Sequence, residues 1–477
     1  MKKIYAILIV MLSLSITVNA QEDSTLVKKT EKKSKKKTGW NFGVLPTITY
    51  NSDLGFQYGG LIDLYNYGDG ELYPNYYERY YMEISRFTKG NGVNNFSYES
   101  NKLFKGRTVF FDIMYRTDKR YDFLGSNGYE TMYNTDWIDP ESDDYHSEMF
   151  YKNRTNYFKV KADILTPIND KWSWSGGFEY FIFDVDQVDI KDFNNDGKYD
   201  APSNDEMPGL YDRFIEWGVV DSDYKNGGSF AGLKGGFMYD TRNNMSNATK
   251  GMWTELVLFY VPSFMSSSNN SYLNFNFTHR QYFTIVPERL SFAYRVGYVG
   301  TLFGDEPVYA QANMYSVMLK GAPGFGLGGK STLRGVKRNR VIGKGEAWLN
   351  AEFRWKVVKF DMFNQHIYLG LSAFFDAGRV VQLTGLEEKI TAIDKEHPLT
   401  DQNYWKQYAI GVGADGKPNG DTMEDYFNFG GEAMHMSAGI GFQFVMNQNF
   451  IVKVDYGKTF NEQDGPSGMY IGLNYLF

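Results

Sequence analysis

The residues best suited to do chemistry in this sequence are one arginine and two carboxylates. Arg334 lies in the tripeptide Leu333-Arg334-Gly335, inside a glycine-rich stretch that predicts a loop. Glu352 and Asp376 lie in two alternating segments that predict strands, each on the polar face. An arginine that reaches two carboxylates makes charge-assisted, bidentate hydrogen bonds. The pattern therefore predicts a contact that fixes the loop to a wall, and it predicts no enzymatic reaction.

A second motif in the same loop suggests nucleotide chemistry but lacks the necessary context. Residues Gly324 to Ser331 match the phosphate-binding P-loop pattern letter for letter. That motif requires a strand before it and a helix whose N-terminus faces the phosphates. The residues after Ser331 carry no helical pattern, so we predict that the glycines serve a tight turn and that no nucleotide binds.

A third motif has the oxygen spacing of a calcium loop. Oxygen-bearing side chains alternate, a turn glycine follows, and the twelfth position is Ser203 instead of the usual glutamate. The segment is interpreted either as a calcium site or as an acidic, solvated loop. Elsewhere we predict no metal site, because the five histidines have no metal-ligand spacing, and we predict no cofactor. The candidate ligands are Asp192, Asn194, Asp196 and Asp200.

The strands that carry the two carboxylates belong to a pattern that fills most of the chain. Polar and apolar residues alternate from Trp40 to Phe477, which predicts strands with one wet face and one apolar face. Sixteen strands are predicted, at 40–50, 54–66, 76–89, 93–104, 106–117, 148–166, 171–185, 228–240, 251–263, 271–285, 288–303, 345–358, 367–382, 431–446, 449–460 and 468–477.

The lengths of the connections indicate how these strands are arranged. The long connections, 118–147, 186–227, 304–344 and 383–430, all follow odd-numbered strands, whereas the connections after even-numbered strands are short. Outer-membrane barrels have long loops outside and short periplasmic turns. We therefore predict an all-β fold: a 16-stranded antiparallel transmembrane β-barrel with both termini periplasmic. Its loop 304–344 is predicted to fold inward, because a barrel of this size leaves a wide lumen.

Composition agrees with a barrel in a membrane. Aromatic residues make up 17% of the chain, with 37 Tyr and 37 Phe, as aromatic girdles and a lipid-facing band require. The net charge of −7 argues against nucleic acid as a partner. Cysteine is absent, which excludes disulfides and thiol catalysis.

The amino-terminal residues predict export. Residues 1–20 have a basic start, an apolar stretch and a small-residue cleavage site, which is typical of a signal peptide. The alternative, a membrane anchor, would need about 20 apolar residues. Residues 21–38 contain seven lysines and predict a disordered, basic periplasmic tail that either contacts anionic lipid headgroups or is only solvated. Residues 39–477 form the predicted barrel domain.

Two motifs together resemble the signatures of the outer membrane protein 85 superfamily. One is Leu333-Arg334-Gly335 before the twelfth strand, and the other is Phe374-Phe375-Asp376-Ala377-Gly378 on the thirteenth. The sequence departs from the family at Val336, where an aromatic residue usually follows Arg-Gly. Gly472, Tyr475 and Phe477 further resemble the carboxy-terminal insertion signal of outer-membrane barrels. The predicted loop–lumen contact comprises Arg334, Gly335, Glu352, Asp376 and Gly378.

The resemblance covers residues 40–477 and implies a function. The superfamily includes the BamA/TamA-like assembly barrels, secretion barrels and bacterial surface antigens. The resemblance implies a protein of the outer membrane of a Gram-negative bacterium that aids insertion or export of outer-membrane proteins or lipids. Its expected partners are outer-membrane lipid, nascent outer-membrane proteins and periplasmic factors. No POTRA modules are expected, because fewer than about twenty residues separate the predicted cleavage site after Ala20 from the first strand. The alternatives are a passive or loop-gated channel and a surface adhesin.

Overall fold

The computed structural model describes residues 37–73, 75–188, 208–318, 326–362, 365–396, 423–447 and 450–477. Within these ranges sixteen antiparallel strands pair in chain order, and β1 pairs with β16, so that the sheet closes. The predicted fold class is confirmed. The strands are β1 Trp40–Asn51, β2 Gly55–Asn66, β3 Glu78–Phe87, β4 Gly92–Ser100, β5 Thr108–Asp122, β6 Lys152–Pro167, β7 Trp172–Asp186, β8 Gly227–Asp240, β9 Gly251–Val261, β10 Tyr272–Val286, β11 Leu290–Gly304, β12 Gly345–Met362, β13 Gln365–Gln382, β14 His435–Met446, β15 Phe450–Thr459 and β16 Ser467–Leu473.

The barrel wall is polar inside and apolar outside, the reverse of a water-soluble core. Along β12, Asn350 and Glu352 are 0% exposed, whereas Phe353 and Trp355, which follow them, are each 49% exposed. In a bilayer this arrangement buries the apolar face in lipid and keeps the polar face in the lumen. Ring closure pairs most of the backbone hydrogen-bonding groups within the sheet, as the absence of water in a bilayer demands.

The long connections follow odd-numbered strands, as predicted, and pack together at one end of the barrel. Trp137 after β5 contacts Phe150 at 5.3 Å and Tyr426 at 4.9 Å between ring centroids. Trp217 after β7 contacts the same Tyr426 at 5.1 Å. These aromatic contacts join three loops into a cap. Short helices lie in the long connections, at Leu210–Glu216, Val308–Gln311, Leu386–Glu396 and Met423–Tyr426.

In the parts of the chain that are described, helices are too short or too polar to span a bilayer. The predicted signal peptide, residues 1–20, lies outside the described residues. So does the predicted basic tail, residues 21–38, apart from Lys37 and Thr38.

The end of the chain differs from the prediction, which extended the last strand to Phe477. The strand stops at Leu473, and Asn474 adopts a left-handed φ of 67° that breaks the ladder. Beyond it the chain turns inward. Arg354, a lumen residue of β12, lies 4.0 Å from the ring of Tyr475 and 5.1 Å from that of Phe477. The prediction was wrong because these cation–π contacts hold both rings inside.

The seam between β1 and β16 is the weakest junction of the sheet. Only two residue pairs, Tyr50 with Ile471 and Asn51 with Tyr470, join these strands. The other edge of β1 pairs with β2 over all twelve of its residues. Most of β1 therefore presents a backbone edge toward β16 that has no partner strand among the described residues.

Two hydrogen bonds show which amides of β1 face this seam. The Gly39 N–H donates to Gly68 O at 2.8 Å on the β2 side, and the Ser52 N–H donates to Met469 O at 3.1 Å on the β16 side. Backbone direction alternates along a strand, so the even-numbered residues of β1 face the seam. One of them is Pro46, which has no N–H to offer.

Amide hydrogen exchange of the barrel in detergent should reveal this alternation. Phe42 and Val44 should exchange at least about tenfold faster than Gly43 and Leu45, because only the odd-numbered amides are bonded to β2. Residue-resolved exchange by NMR or fragmentation mass spectrometry measures the difference. Equal protection of both sets would show that β16 covers the whole edge.

Candidate functional site

The candidate site lies in the lumen, where the connection between β11 and β12 folds back into the barrel. We call residues 305–344 the plug loop, of which 305–318 and 326–344 are described. No helix occurs in the described part after residue 326, so the P-loop match lacks the helix that phosphate binding needs. The backbone of Leu327 pairs with that of Val341, which folds the segment between them into a closed hairpin-like turn.

Arg334, at the tip of this turn, is 1% exposed and reaches the barrel wall. Its Nε and Nη2 donate to the two carboxylate oxygens of Asp376 at 2.9 and 3.0 Å. Its Nη1 donates to Glu352 at 2.6 Å. The structure thus brings together the three residues on which the sequence argument depended.

The charge of this arginine is fixed by its surroundings. Burial alone would lower the pKa of the Arg334 guanidinium. The carboxylates of Asp376 and Glu352 outweigh that effect and hold its pKa well above the ordinary value. The guanidinium therefore stays charged, so the plug loop always presents a positive charge to these carboxylates.

Three more charged residues, which the sequence argument missed, complete the network. Asp455 accepts a hydrogen bond from Arg334 Nη1 at 3.3 Å. Lys453 donates to Glu352 at 2.8 Å and lies 3.2 Å from Asp455. Arg354 donates to Glu352 at 3.0 Å. The network contains three cations and three carboxylates and is neutral. The alternation of Lys453 and Asp455 along β15 is a signal that could have placed both in the lumen.

Phe374, the aromatic residue of the strand-thirteen motif, packs against the face of the Arg334 guanidinium. The ring of Phe374 lies 3.5 Å from Arg334 Cζ, which is a close cation–π contact. A Cβ on Gly439 of the neighbouring strand would collide with this ring, so the glycine leaves the space that the ring occupies. Phe374 and Asp376 are two residues apart and therefore share one face of β13. The ring of Phe374 fixes the plane of the guanidinium, and the carboxylate of Asp376 fixes its edge.

The backbone beside Arg334 is bonded to the wall as well as its side chain. Ser437 Oγ donates to Arg334 O at 2.6 Å. The Gly335 N–H donates to Tyr470 Oη on β16 at 3.1 Å. Gly335 has φ of 100°, and a Cβ there would lie 2.8 Å from the backbone of Gly457. The glycine is therefore required both by backbone conformation and by close approach to β15.

Gly378 and Val336 belong to the apolar support of the turn. A Cβ on Gly378 would lie 3.0 Å from Leu327 and 3.1 Å from Leu333, so the plug loop packs directly on this part of β13. Val336 stands where the family usually has an aromatic residue. It is 0% exposed and packs in the same cluster as Leu327 and Leu333. The departure from the family therefore keeps a packing contact at this position.

Two other arginines of the plug loop, also missed from the sequence, join it to the cap. Arg338 donates to Asp118 at 2.5 Å and to Asp122 at 2.7 Å, both at the end of β5. Arg340 donates to Gly128 O at 2.8 Å and to Gln463 O at 2.7 Å. Arg334 thus anchors the plug loop inside the lumen, and Arg338 and Arg340 anchor it at the end of the barrel that carries the cap.

The remaining predicted residues lie elsewhere. Gly472 is in β16 on the lumen face, and Tyr475 and Phe477 are in the inward-turned segment. The calcium candidates Asp192, Asn194, Asp196 and Asp200 lie outside the described residues. Among the residues that are described, no group of three or more histidines or carboxylates has metal-binding geometry.

Comparison with known proteins shows which family and which solved structures this barrel is similar to. Residues 83–477 match the Omp85 superfamily domain. BamA from Haemophilus ducreyi lacking POTRA domains 1–3 is 14% identical, with 92% of this chain and 71% of that chain covered and a TM-score of 0.51. CdiB from Escherichia coli is 9% identical, with 91% and 63% covered and a TM-score of 0.49. A comparison with curated proteins found no match.

The fold and the site define an outer-membrane β-barrel whose lumen holds a loop anchored through arginine. The chain belongs to the Omp85 superfamily, because the family domain spans most of its length. The resemblance inferred from Leu333-Arg334-Gly335 and from the Phe374–Gly378 motif is confirmed.

Replacing Arg334 with alanine should release the plug loop. Three buried carboxylates would lose a partner, at a local cost of about 3–5 kcal/mol. Limited proteolysis within residues 326–344 should become at least about tenfold faster, and bilayer conductance should rise. Arg379→Ala is the control, since Arg379 lies on the same strand as Asp376 and, among the described residues, donates to the backbone carbonyls of Val380 and Glu432 without touching the network. Wild-type currents and cleavage rates in the Arg334→Ala barrel would disprove the anchoring role.

Replacing Gly335 with alanine should weaken the same anchor without removing a charge. The added Cβ meets the Gly457 backbone and enforces an unfavourable φ, for a cost of about 1–3 kcal/mol. Gly60→Ala is the matched control, because a Cβ there meets no atom within 4 Å. Proteolysis of the plug loop should accelerate in the first variant only; equal rates in both would contradict the close approach.

Proposed function

We propose that this barrel aids insertion or export of outer-membrane proteins or lipids through its β1–β16 seam. The observation that carries the proposal is the difference between the two edges of β1, with two paired residues toward β16 and twelve toward β2. An unpaired strand edge is a template for another strand. A client strand could pair with it while most of the barrel keeps its own hydrogen bonds.

The seam opens at small cost because few bonds must break. A hydrogen bond contributes about 1 kcal/mol net in water, and more where lipid would leave its groups unpaired. Pro46 already removes one donor from the seam side of β1. The inward turn after Leu473 also withdraws the end of β16 from the edge of β1. The residues Trp40, Phe42 and Val44 of that edge are exposed, by 61, 76 and 64% respectively.

The plug loop is bonded to the seam strand, so the two can act together. Gly335 donates to Tyr470, and Tyr470 is one of the two β16 residues that pair with β1. Displacing β16 would break this hydrogen bond, and releasing the loop would remove a support of β16. The anchored Arg334 would therefore keep the lumen filled while the seam is closed.

The family supports the same proposal, since its assembly and secretion barrels act on outer-membrane proteins. The similarity to BamA is a similarity of fold. We further propose the outer membrane of a Gram-negative bacterium, with the termini periplasmic and the aromatic cap outside the cell. The proposal contains no catalytic step and no cofactor. Its partners are outer-membrane lipid and nascent outer-membrane proteins; the channel and the adhesin are the alternative outcomes of its test.

A disulfide across the seam tests the proposal, because the chain has no cysteine of its own. Tyr50 and Ile471 face each other in register, at a spacing that suits a disulfide. The double variant Tyr50→Cys/Ile471→Cys, reconstituted in liposomes, should lose at least about tenfold of its stimulation of client-barrel insertion when oxidised. It should recover when reduced.

The control is a disulfide at a junction that the proposal leaves closed. Ile62→Cys/Met82→Cys joins β2 to β3 at another paired position. Oxidation of this variant should leave insertion unchanged. Full insertion activity with the seam oxidised would refute the seam route. Absence of insertion in the wild type, together with a conductance that the Arg334→Ala variant alters, would favour the channel.

A further inference from the structure

A pocket of about 280 Å³ lies in the lumen between the plug loop and β16. The strands β10, β11, β12 and β15 close its other sides. Asp455 is the one carboxylate among its described lining residues, whereas four lining side chains are cationic. The four cations are Arg280, Arg295, Lys330 and Lys453.

Two of these cations have carboxylate partners. Lys453 is paired with Glu352 and Asp455 in the neutral network around Arg334. Arg280 donates through Nη1 to Glu255 at 3.0 Å, but its buried Nε has no acceptor within the described structure. The Arg280 guanidinium is therefore only partly satisfied.

The other two cations have no carboxylate within ion-pair distance in the described part of the chain. Arg295 is 7% exposed and donates through Nε to Asn350 Oδ1 at 2.8 Å and through Nη2 to Ser331 O at 3.0 Å, both neutral acceptors. Within the described ranges it makes no ion pair, and its Nη1 has no acceptor. Lys330 makes neither a hydrogen bond nor an ion pair with the described part of the chain. Its Nζ lies against Gly472 of β16, at the wall of the pocket.

Such an arrangement favours an anion. A cation kept from bulk water without a counter-charge is costly, and an anion between Arg295 and Lys330 removes that cost. The free donors, Arg280 Nε, Arg295 Nη1 and Lys330 Nζ, come from three different elements. A phosphate presents several charged oxygens in different directions and pairs well with guanidinium groups. A planar carboxylate would satisfy fewer of these donors.

We propose that this pocket binds a phosphate group. Tyr470, Gly472 and Leu473 of β16 line it, so it lies directly behind the seam. Two sources share this chemistry: the headgroup of a phospholipid that enters beside β16, and free inorganic phosphate. The proposal rests on the charges of the pocket and holds whether or not the seam transports clients.

Binding is tested on the full barrel in a non-ionic detergent. In the first arm, calorimetry measures inorganic phosphate against chloride at constant ionic strength. In the second arm, native mass spectrometry compares phosphatidic acid with diacylglycerol of the same acyl chains, which lacks only the phosphate. We expect phosphate to bind and phosphatidic acid to be retained over diacylglycerol. Binding of inorganic phosphate alone would support the site and assign it to the free anion.

The variants identify the site. Lys330→Gln should weaken phosphate binding by about tenfold or more, since a charge-assisted hydrogen bond is lost. It should leave folding unchanged, because Lys330 makes neither a hydrogen bond nor an ion pair with the described part of the chain; heat-shifted gel mobility checks this. Lys344→Gln is the control, from the same loop but on its exposed side. Arg295→Gln tests the second donor. Failure of both phosphate and phosphatidic acid to bind, or equal affinity in wild type and Lys330→Gln, would overturn the proposal.

Discussion

A guanidinium buried in the lumen is the interaction on which the rest of this structure depends. Arg334 can be removed from water only if carboxylates surround it, and those carboxylates must come from strands that meet at one point of the wall. Glu352 on β12, Asp376 on β13 and Asp455 on β15 supply them. Lys453 and Arg354 then balance the excess negative charge. The loop, the wall and the register of the strands are consequently fixed by one neutral cluster.

The same requirement explains why the lumen is so polar. A barrel of sixteen strands encloses more space than wall side chains can fill, so a loop must occupy it. The loop brings backbone groups and three arginines, and each needs a partner. Arg338 and Arg340 find theirs at the ends of strands and in the cap, where the loops also pack their aromatic rings together. The lipid-facing side has no such demands, and its exposed residues are largely apolar.

Strand pairing is distributed unevenly around this barrel. The β12–β13 junction, which carries the cluster, is paired over nearly the whole length of both strands, whereas β1 and β16 share two residue pairs. Charge is uneven too, since the cluster is neutral while the adjacent pocket holds two cations that make no ion pair with the described residues. The well-paired side holds the plug loop, and the sparsely paired side is where a strand or a lipid could approach. The plug loop and the pocket both meet β16 on its lumen face, at Tyr470 and Gly472.

The sequence alone determined the fold and the centre of the site. A period of two is imposed by the pleat and by the contrast between lipid and lumen, so it marks sixteen strands and places Glu352 and Asp376 on the polar face. The lengths of the connections distinguished the two ends of the barrel, because the long loops lie at one end and the short turns at the other. Leu333-Arg334-Gly335 stood out because an arginine among the glycines of a loop that folds into the lumen needs an anionic partner.

Only the tertiary structure decided the remainder, because those contacts join residues that no local pattern relates. Asp455 lies 121 positions from Arg334, and whether its carboxylate reaches the guanidinium depends on barrel closure. The inward turn after Leu473 depends on Arg354, a residue of another strand, whereas local alternation extended β16 to Phe477. The short seam and the cationic pocket arise from how β1, β16 and the plug loop meet. A period of two fixes which face a residue takes, and it carries no information about which distant residues share that face.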